Sequence, residues 1–173
     1  KQGKGLQNKG IRKYTQENVV EIIESLSKIG FRKTRRLFNI GSSTLNLIRD
    51  NKILKQEINK LRDLCYNASF KAGWHTNLET GELLNRNKGE MLMLVVTEIA
   101  EAMEGERKGL MDDHLPNRPM AEVELADALI RIMDYAGRFN YDLGGAIIEK
   151  LEYNKNRADH KLENRIKKGG KKF

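Results

Sequence analysis

Apolar side chains recur every three or four positions along most of the chain, the spacing of a helix face that packs on a core. The pattern is clearest over 19–29, 45–48, 64–70, 88–107 and 120–139. A further run over 143–164 begins at the pair Gly144-Gly145. The chain has only two prolines, Pro116 and Pro119, and both fall in one short segment. The pattern therefore predicts an all-α fold.

Local signals near the amino terminus predict three short helices. Thr15 can cap the first, although Asn18 stands where a full capping box has an acid. The second helix is expected over 33–38, and Asn39 then suits a tight turn because asparagine tolerates the left-handed conformation. A third helix is expected after Gly41, where either of two serines can cap it.

The tight turn and its flanking helices, over the stretch RLFNIGSSTL at 36–45, resemble the helix-turn-helix of transcription regulators and resolvases. Arg35 departs from that pattern, which has a small residue there to pack on the third helix. The resemblance implies base contacts from the third helix and phosphate contacts from the second. The residues concerned are Ser42, Ser43, Thr44, Asn46 and Arg49 for bases, and Arg32, Lys33, Arg35 and Arg36 for phosphates. A small assembly module with a solvated basic face is the alternative.

Charge is distributed unevenly along the chain. Residues 1–64 carry 15 Lys or Arg against 6 Asp or Glu, and the remainder carries 17 against 18. A basic segment joined to a nearly neutral one indicates two jobs, and the basic part is suited to a polyanion. We expect a flexible basic arm over 1–14, a helix-turn-helix-like module over 15–52, a helical linker over 53–63, a second helical domain over 64–166 and a basic tail over 167–173.

Two matched acidic motifs carry the candidate chemistry: Glu98-Ile-Ala-Glu101 and Glu124-Leu-Ala-Asp127. In each motif, acids at i and i+3 project side by side from one helix face. Adjacent like charges lower stability unless a cation lies between them, and carboxylates are the ligands that Mg²⁺ prefers. The neighbouring residues are mostly apolar, so we expect both helices to be packed on most sides, with the acids facing a cleft or a narrow strip of solvent.

An ExxE motif followed by a spacer and ExxD resembles the signature of the MazG-like superfamily, which includes all-alpha dCTP pyrophosphatases and dimeric dUTPases. The resemblance covers about residues 61–165 and implies a helical bundle of the MazG-like type. The run EGERKG at 104–109 looks like the basic end of the family's first metal helix. The run KLEYNKNR at 150–157 looks like its late helix motif.

Other residues match the family's substrate-binding positions. Lys150, Asn154 and Arg157 lie at i, i+4 and i+7 of a predicted helix, where cations can hold phosphate oxygens and an amide can bond to sugar or base. Pairing with neighbouring acids on a solvated surface is the alternative. Trp74 and His75 stand where related enzymes place base-pocket residues. For them the alternatives are core packing and a surface loop.

The resemblance implies Mg²⁺-dependent cleavage of a nucleoside triphosphate between its α and β phosphates, with Mn²⁺ as an alternative ion. The four acids of the two motifs would hold the metal, and Glu101, beside Glu98, would orient or deprotonate the attacking water. Lys150 and Arg157 would assist from the side, with Arg131 and Lys108 as further candidates. A standard deoxynucleotide is the first substrate to test, followed by a modified or oxidised nucleotide and an alarmone.

The expected partners are a second copy, as a homodimer or homotetramer, and DNA at the amino-terminal module. No apolar run is long enough to span a membrane, and the lone Cys65 is expected to be a buried thiol in a reducing, cytoplasmic setting. One alternative is a DNA-binding regulator that senses nucleotide without turnover. A di-iron bundle would need Glu-x-x-His pairs, which the chain lacks. A purely structural assembly protein would not require stacked acids.

Overall fold

The computed structural model describes residues 14–167 and 169, and within these residues helices are joined by turns and loops, without any strand. The predicted basic arm at 1–14 and basic tail at 167–173 lie almost entirely outside the described residues. The helices are α1 (Gln16–Ile29), α2 (Phe31–Leu37), α3 (Ser42–Lys71), α4 (Lys88–Lys108), α5 (Met120–Arg138), α6 (Leu143–Asn156) and α7 (Leu162–Arg165), with a 3₁₀ helix at Ala158–His160. The predicted all-α class is confirmed.

The chain divides into two compact units, Lys1–Gln56 and Glu57–Phe173. Helix α3 passes through this boundary without a break, so the segment predicted as a helical linker at 53–63 is the middle of one 30-residue helix. None of the helices in the described part of the chain is long and apolar enough to cross a lipid bilayer.

The core of the first unit is built from α1, α3 and the turn that precedes α3. Its buried members are Ile22, Ile40, Leu45 and Ile48. Thr34 of α2 is also fully buried, and its hydroxyl donates to the carbonyl of Gly30 at 2.9 Å. Arg35 is exposed. The small inward-facing residue of α2 is therefore Thr34, one position before the Arg35 that departed from the expected pattern.

Caps and turn geometry explain where the first helices begin and end. Thr15 accepts from the amide of Asn18 at 3.2 Å, and the side chain of Asn18 accepts from the amide of Thr15 at 3.3 Å. Asparagine thus completes the capping box that an acid usually closes. Asn39 has a φ of 49°, as its place in the turn predicted. Helix α2 starts at Phe31, two residues earlier than expected.

In the second unit, α4 and α5 pack against each other as a helical hairpin. Asn87 caps α4 through its side chain, and Gly109 ends it in the left-handed conformation. Gly105 lets the two helices approach closely, because a Cβ at this position would lie 3.0 Å from the backbone nitrogen of Ala121 and from the Cβ of Met120. This close approach aligns the two acidic motifs.

The expectation that α4 and α5 are packed on most sides is wrong for the single chain. Each helix buries one narrow stripe, and the apolar residues beside it remain open. The exposed members are Leu92, Met93, Val96, Ile99 and Met103 on α4, and Leu125, Leu129, Ile130 and Ile132 on α5. The reason is geometric: two helices can cover only one side of each other.

Helix α3 supports α5 and α6. A Cβ at Gly137 would lie 2.4 Å from the Cβ of Tyr66, so only glycine fits where α3 crosses α5. The side chain of Asn59 accepts from the amide of Gly144 at 2.9 Å and donates to Asp142 at 2.8 Å. Cys65 is buried as predicted, and burial, followed by the charge of Asp134, raises the pKa of its thiol.

The predicted helix over 143–164 is interrupted. Helix α6 ends at Asn156, and Arg157 has an extended backbone, with φ −68° and ψ 131°. The guanidinium of Arg157 binds both carboxylate oxygens of Asp159, at 2.9 and 2.6 Å. Asn164 donates back to the carbonyl of Ala158 at 2.8 Å. These local bonds stabilise a turn within a sequence that contains no proline or glycine to end the helix.

Candidate metal centre and adjoining cleft

Three carboxylates of the acidic motifs meet where α4 packs on α5. Glu98 and Glu101 project from α4 and Glu124 from α5, and one oxygen of each lies within 4.8 Å of the others. Glu98 is 6% exposed and Glu124 is 9% exposed, whereas Glu101 is open to solvent. The helices carry small buried residues on the same faces, including Ala102 and Ala128. These small side chains allow the acids on opposite helices to approach.

Burial and neighbouring charges both raise the pKa of the Glu124 carboxyl group. Burial is the largest cause that raises the pKa of its carboxyl group. The charge of Glu101 raises that pKa further, followed by a hydrogen bond with Glu98 and the charges of Glu98 and Asp127. All of these causes disfavour the ionised form. A bound cation would act in the opposite direction, because it stabilises the carboxylate.

The cluster suits a small divalent cation. Its donor atoms are all carboxylate oxygens, which Mg²⁺ and Mn²⁺ both accept. In an octahedral Mg²⁺ site, adjacent ligand oxygens lie about 2.9 Å apart and opposite ones about 4.2 Å apart, so the three oxygens would have to move closer together to bind one ion. Glu101 leaves one side open to water or phosphate. Asp127, the fourth predicted ligand, does not join the three converging oxygens but lines the adjoining cleft.

Arg131 provides a positive charge at the edge of the cluster. Its Nε lies 2.6 Å from an oxygen of Glu98, and its side chain is 42% exposed. Arg131 stands one helical turn after Asp127 on α5 and lines the same cleft. The guanidinium therefore balances one buried carboxylate while it remains accessible from the cleft.

A cleft of about 270 Å³ lies beside the carboxylates. It is enclosed by residues from α3, α4, α5 and the loop between α3 and α4. They are Ser69, Trp74, His75, Arg86, Met91, Leu94, Asp127, Ile130, Arg131 and Asp134. Trp74 is 67% exposed, so its indole face is available to a planar ligand. The cleft thus brings the two predicted base-pocket residues to the predicted metal motifs.

His75 lies in the loop between α3 and α4, and its side chain is buried where this loop lines the cleft. Its side chain is 1% exposed, and its Nε2 lies 2.7 Å from an oxygen of Asp134. Tyr66 packs on the imidazole, with ring centroids 5.2 Å apart. Within the described residues, Nδ1 of His75 is buried without a hydrogen-bond partner. His75 is therefore a buried residue of the cleft wall, and the surface-loop alternative is wrong.

The late run does not join the cleft in the single chain. The ammonium of Lys150 lies 4.7 Å from the ring centroid of Tyr153, and Arg157 is paired with Asp159. Asn154 has a buried side-chain oxygen without a partner among the described residues. Because α6 ends before Arg157, the prediction that Lys150, Asn154 and Arg157 share one helix face is wrong.

The other predicted site residues lie on the surface. Lys108 forms an ion pair with Glu104, which Arg107 also contacts. Lys108 therefore belongs to an ion-pair cluster at the carboxyl-terminal end of α4. In the first unit, Arg32, Lys33, Arg35, Arg36, Ser42, Ser43 and Arg49 are exposed, and Thr44 and Asn46 are half-buried. Arg35 donates to the hydroxyl of Ser42 at 2.8 Å.

Sequence reasoning did not assign roles to Asp134, Arg86 or Ser69. Asp134 lies on the same polar stripe of α5 as Glu124, Asp127 and Arg131, so the stripe carried a usable signal. Arg86 donates to the carbonyl of Trp74 at 2.9 Å and holds the loop against the cleft, a role that no spacing indicates. Ser69 lies within the predicted helical run at 64–70, but its place at the cleft follows from helix packing that spacing does not indicate.

Comparison of the chain with protein-family models, with curated proteins and with solved structures found no match.

Proposed function

We propose that the second unit is a Mg²⁺-dependent nucleoside triphosphate pyrophosphohydrolase of the MazG-like type. The observation that carries this proposal is the carboxylate cluster of Glu98, Glu101 and Glu124 at the edge of a cleft of about 270 Å³. Metal and nucleotide would then share one site, because Asp127 and Arg131 border both the cluster and the cleft. The reaction forms a bond between a water oxygen and the α phosphorus and breaks the bridge to the β phosphate.

The carboxylates have distinct roles in this proposal. Glu98, Glu101 and Glu124 would hold the metal, which would supply charge neutralisation and an acidified water, and Asp127 would approach it from the cleft. Glu101 is the accessible acid of the converging three, so it is best placed to orient the attacking water and accept its proton. Arg131, which already faces Glu98 at 2.6 Å, contributes a fixed positive charge beside the phosphates.

The opposite wall of the cleft suits the nucleoside. The exposed indole of Trp74 offers a face on which a base can stack. Nε2 of His75 lies 2.7 Å from an oxygen of Asp134, so this carboxylate fixes the orientation of the imidazole in the cleft wall.

Lys150, Asn154 and Arg157 enter the proposal through a second copy of the chain. In the described single chain these residues do not line the cleft, while α4 and α5 expose apolar surface that a second copy would cover. A homo-oligomer therefore accounts for both observations, with the late run of one copy serving the cleft of another.

The test is release of pyrophosphate from each of the common ribonucleoside and deoxynucleoside triphosphates, with Mg²⁺ and with EDTA. We expect metal-dependent turnover of one or a few nucleotides. Glu101→Gln should lower it by roughly a hundredfold or more, since it removes both a ligand and the proton acceptor. Glu106→Gln is the matched control, because Glu106 is an exposed acid on the same helix outside the cluster.

Three outcomes would contradict the proposal: no turnover of any nucleotide, turnover unaffected by EDTA, or equal activity of both variants. Nucleotide binding without turnover, measured by calorimetry, would instead support the alternative of a sensing domain.

A further inference from the structure

We propose that the first unit binds duplex DNA through α2 and the turn into α3. Between Glu24 and Asp50 the chain contains no acidic residue, and six Lys or Arg side chains fall in this interval. Four of them, Arg32, Lys33, Arg35 and Arg36, belong to the seven residues of α2. This local excess of positive charge is the feature that needs a partner.

The cations of α2 are not consumed by ion pairs within the fold. All four are exposed, and none contacts a carboxylate in the part of the chain that the structure describes. The nearby acids are used elsewhere: Glu24 pairs with Lys28 at 3.3 Å, and Asp50 pairs with Arg49 at 3.0 Å. Repulsion among unpaired cations persists unless a polyanion approaches them.

The arrangement of these cations suits a phosphate backbone. Arg32, Arg35 and Arg36 together line a surface concavity of about 280 Å³. Several guanidinium groups on one concave surface can bind phosphate oxygens in pairs, which a set of scattered lysines cannot do. Arg35 is oriented by its bond to Ser42 at 2.8 Å, so it links the cationic helix to the start of α3.

The backbone of this unit presents α3 as a groove-binding element. The turn at 38–41 is short, with Asn39 at φ 49°, and Ile40 and Leu45 anchor its two sides in the core. The exposed Ser43 follows immediately on α3. An α-helix fits the major groove of B-form DNA, whereas the major groove of A-form RNA is too narrow. Duplex DNA is therefore the partner that this surface fits.

The experiment measures binding of the full chain to a fluorescein-labelled duplex of about 20 base pairs by fluorescence anisotropy, at several salt concentrations from about 50 mM upward. We expect binding that weakens as salt rises. Arg32→Gln combined with Arg36→Gln should weaken it roughly tenfold or more and reduce the slope of log affinity against log salt by about two. Lys60→Gln combined with Lys155→Gln is the control of equal charge, since both lysines are exposed and ion-paired in the second unit.

A second variant separates binding from folding. Ser43→Glu places a negative charge in the first turn of α3, where it favours the helix but opposes DNA. We expect an unchanged or higher melting temperature with weakened binding. The proposal is overturned by absence of binding at low salt, by equal affinity of the arginine and lysine variants, by full binding of Ser43→Glu, or by tighter binding of single-stranded DNA or duplex RNA. Pyrophosphate release is assayed in parallel, so failure here is distinct from failure of the hydrolase.

Discussion

A buried acid such as Glu124 can lower the stability of the cation-free protein and so favour the binding of a cation. Glu124 is 9% exposed and faces Glu98 and Glu101 across the helix pair. A carboxylate in such a place costs stability unless a cation or a proton offsets its charge. The same burial and the neighbouring charges raise the pKa of Glu124. A bound cation at the proposed metal site would remove that cost.

We expect Glu124→Gln to stabilise the metal-free protein and to remove its response to Mg²⁺. The amide keeps the size of the side chain but removes the charge that repels Glu98 and Glu101. A gain of about 1 kcal/mol corresponds to a rise of roughly 3 °C in melting temperature for a chain of this size. Thermal unfolding in EDTA and in Mg²⁺ measures both effects.

Glu106→Gln provides the comparison for that experiment. It removes one negative charge from α4 without touching the cluster, so the wild-type increase in melting temperature with Mg²⁺ should persist. A metal-free Glu124→Gln protein less stable than wild type would show that repulsion in the cluster is not the dominant energy. If Mg²⁺ raised the melting temperature of Glu124→Gln as much as that of the wild type, Glu124 would be excluded as a ligand.

At the scale of elements, the contact between α4 and α5 sets the distance between the acidic motifs. Gly105→Ala tests this contact, because the added Cβ would meet the Ala121 backbone at 3.0 Å. Helix propensity alone would favour alanine by about 1 kcal/mol, whereas overpacking costs about 1–3 kcal/mol. We expect a net loss of stability, measured by urea unfolding, and weaker Mg²⁺ binding.

Gly41→Ala is the control, since a Cβ there meets nothing within 4 Å. Its stability should stay within about 0.5 kcal/mol of wild type. A Gly105→Ala protein that is more stable than wild type, with unaltered Mg²⁺ affinity, would show that α4 and α5 separate easily and that their contact does not set the site.

The helices and the acidic motifs could be predicted from local sequence because their causes are local. Apolar spacing predicted a helix over 88–107, and α4 spans Lys88–Lys108. The end of α6 could not be predicted, because it depends on the bond between Arg157 and Asp159 rather than on a helix breaker. The order of residues in the sequence does not reveal whether Arg157 and Asp159 continue the helix or pair with each other and end it.

Contacts between helices could not be predicted from the spacing of residues along the sequence, for a similar reason. The i and i+3 rule placed Glu98 beside Glu101, but it could not say that Arg131 would approach Glu98 at 2.6 Å. That distance follows from how α4 and α5 cross, which depends on small residues such as Gly105. The polar stripe of α5 indicated which face of that helix carries the candidate site residues, but not which residues of α4 they contact.

At the scale of the whole molecule, the second unit exposes two apolar stripes, one on α4 and one on α5. Leu92, Val96, Ile99 and Met103 recur at intervals of four, three and four on α4, and Leu125, Leu129 and Ile132 recur at intervals of four and three on α5. All seven are at least 37% exposed. This spacing is the one by which two helices present a seam to another pair in a four-helix bundle. A second copy offers the same surface by symmetry.

We expect Val96→Glu to convert the protein from an oligomer to a monomer, because it places a charge in the centre of the α4 stripe. Light scattering coupled to size exclusion measures the mass. Leu162→Glu is the control: Leu162 is 74% exposed but lies on α7, outside the stripes, so its mass should equal that of wild type. A monomeric wild-type protein at micromolar concentration would contradict the prediction.

Subunit mixing then tests whether the oligomer completes the site. Glu101→Gln and Lys150→Gln should each be inactive alone if both residues serve one cleft. If Lys150 comes from the second copy, random exchange leaves half of the dimers mixed, each with one intact cleft, so activity should recover to about a quarter of wild type. If both residues served the cleft of their own chain, no mixture would recover activity. The recovered fraction therefore distinguishes a shared site from two independent ones.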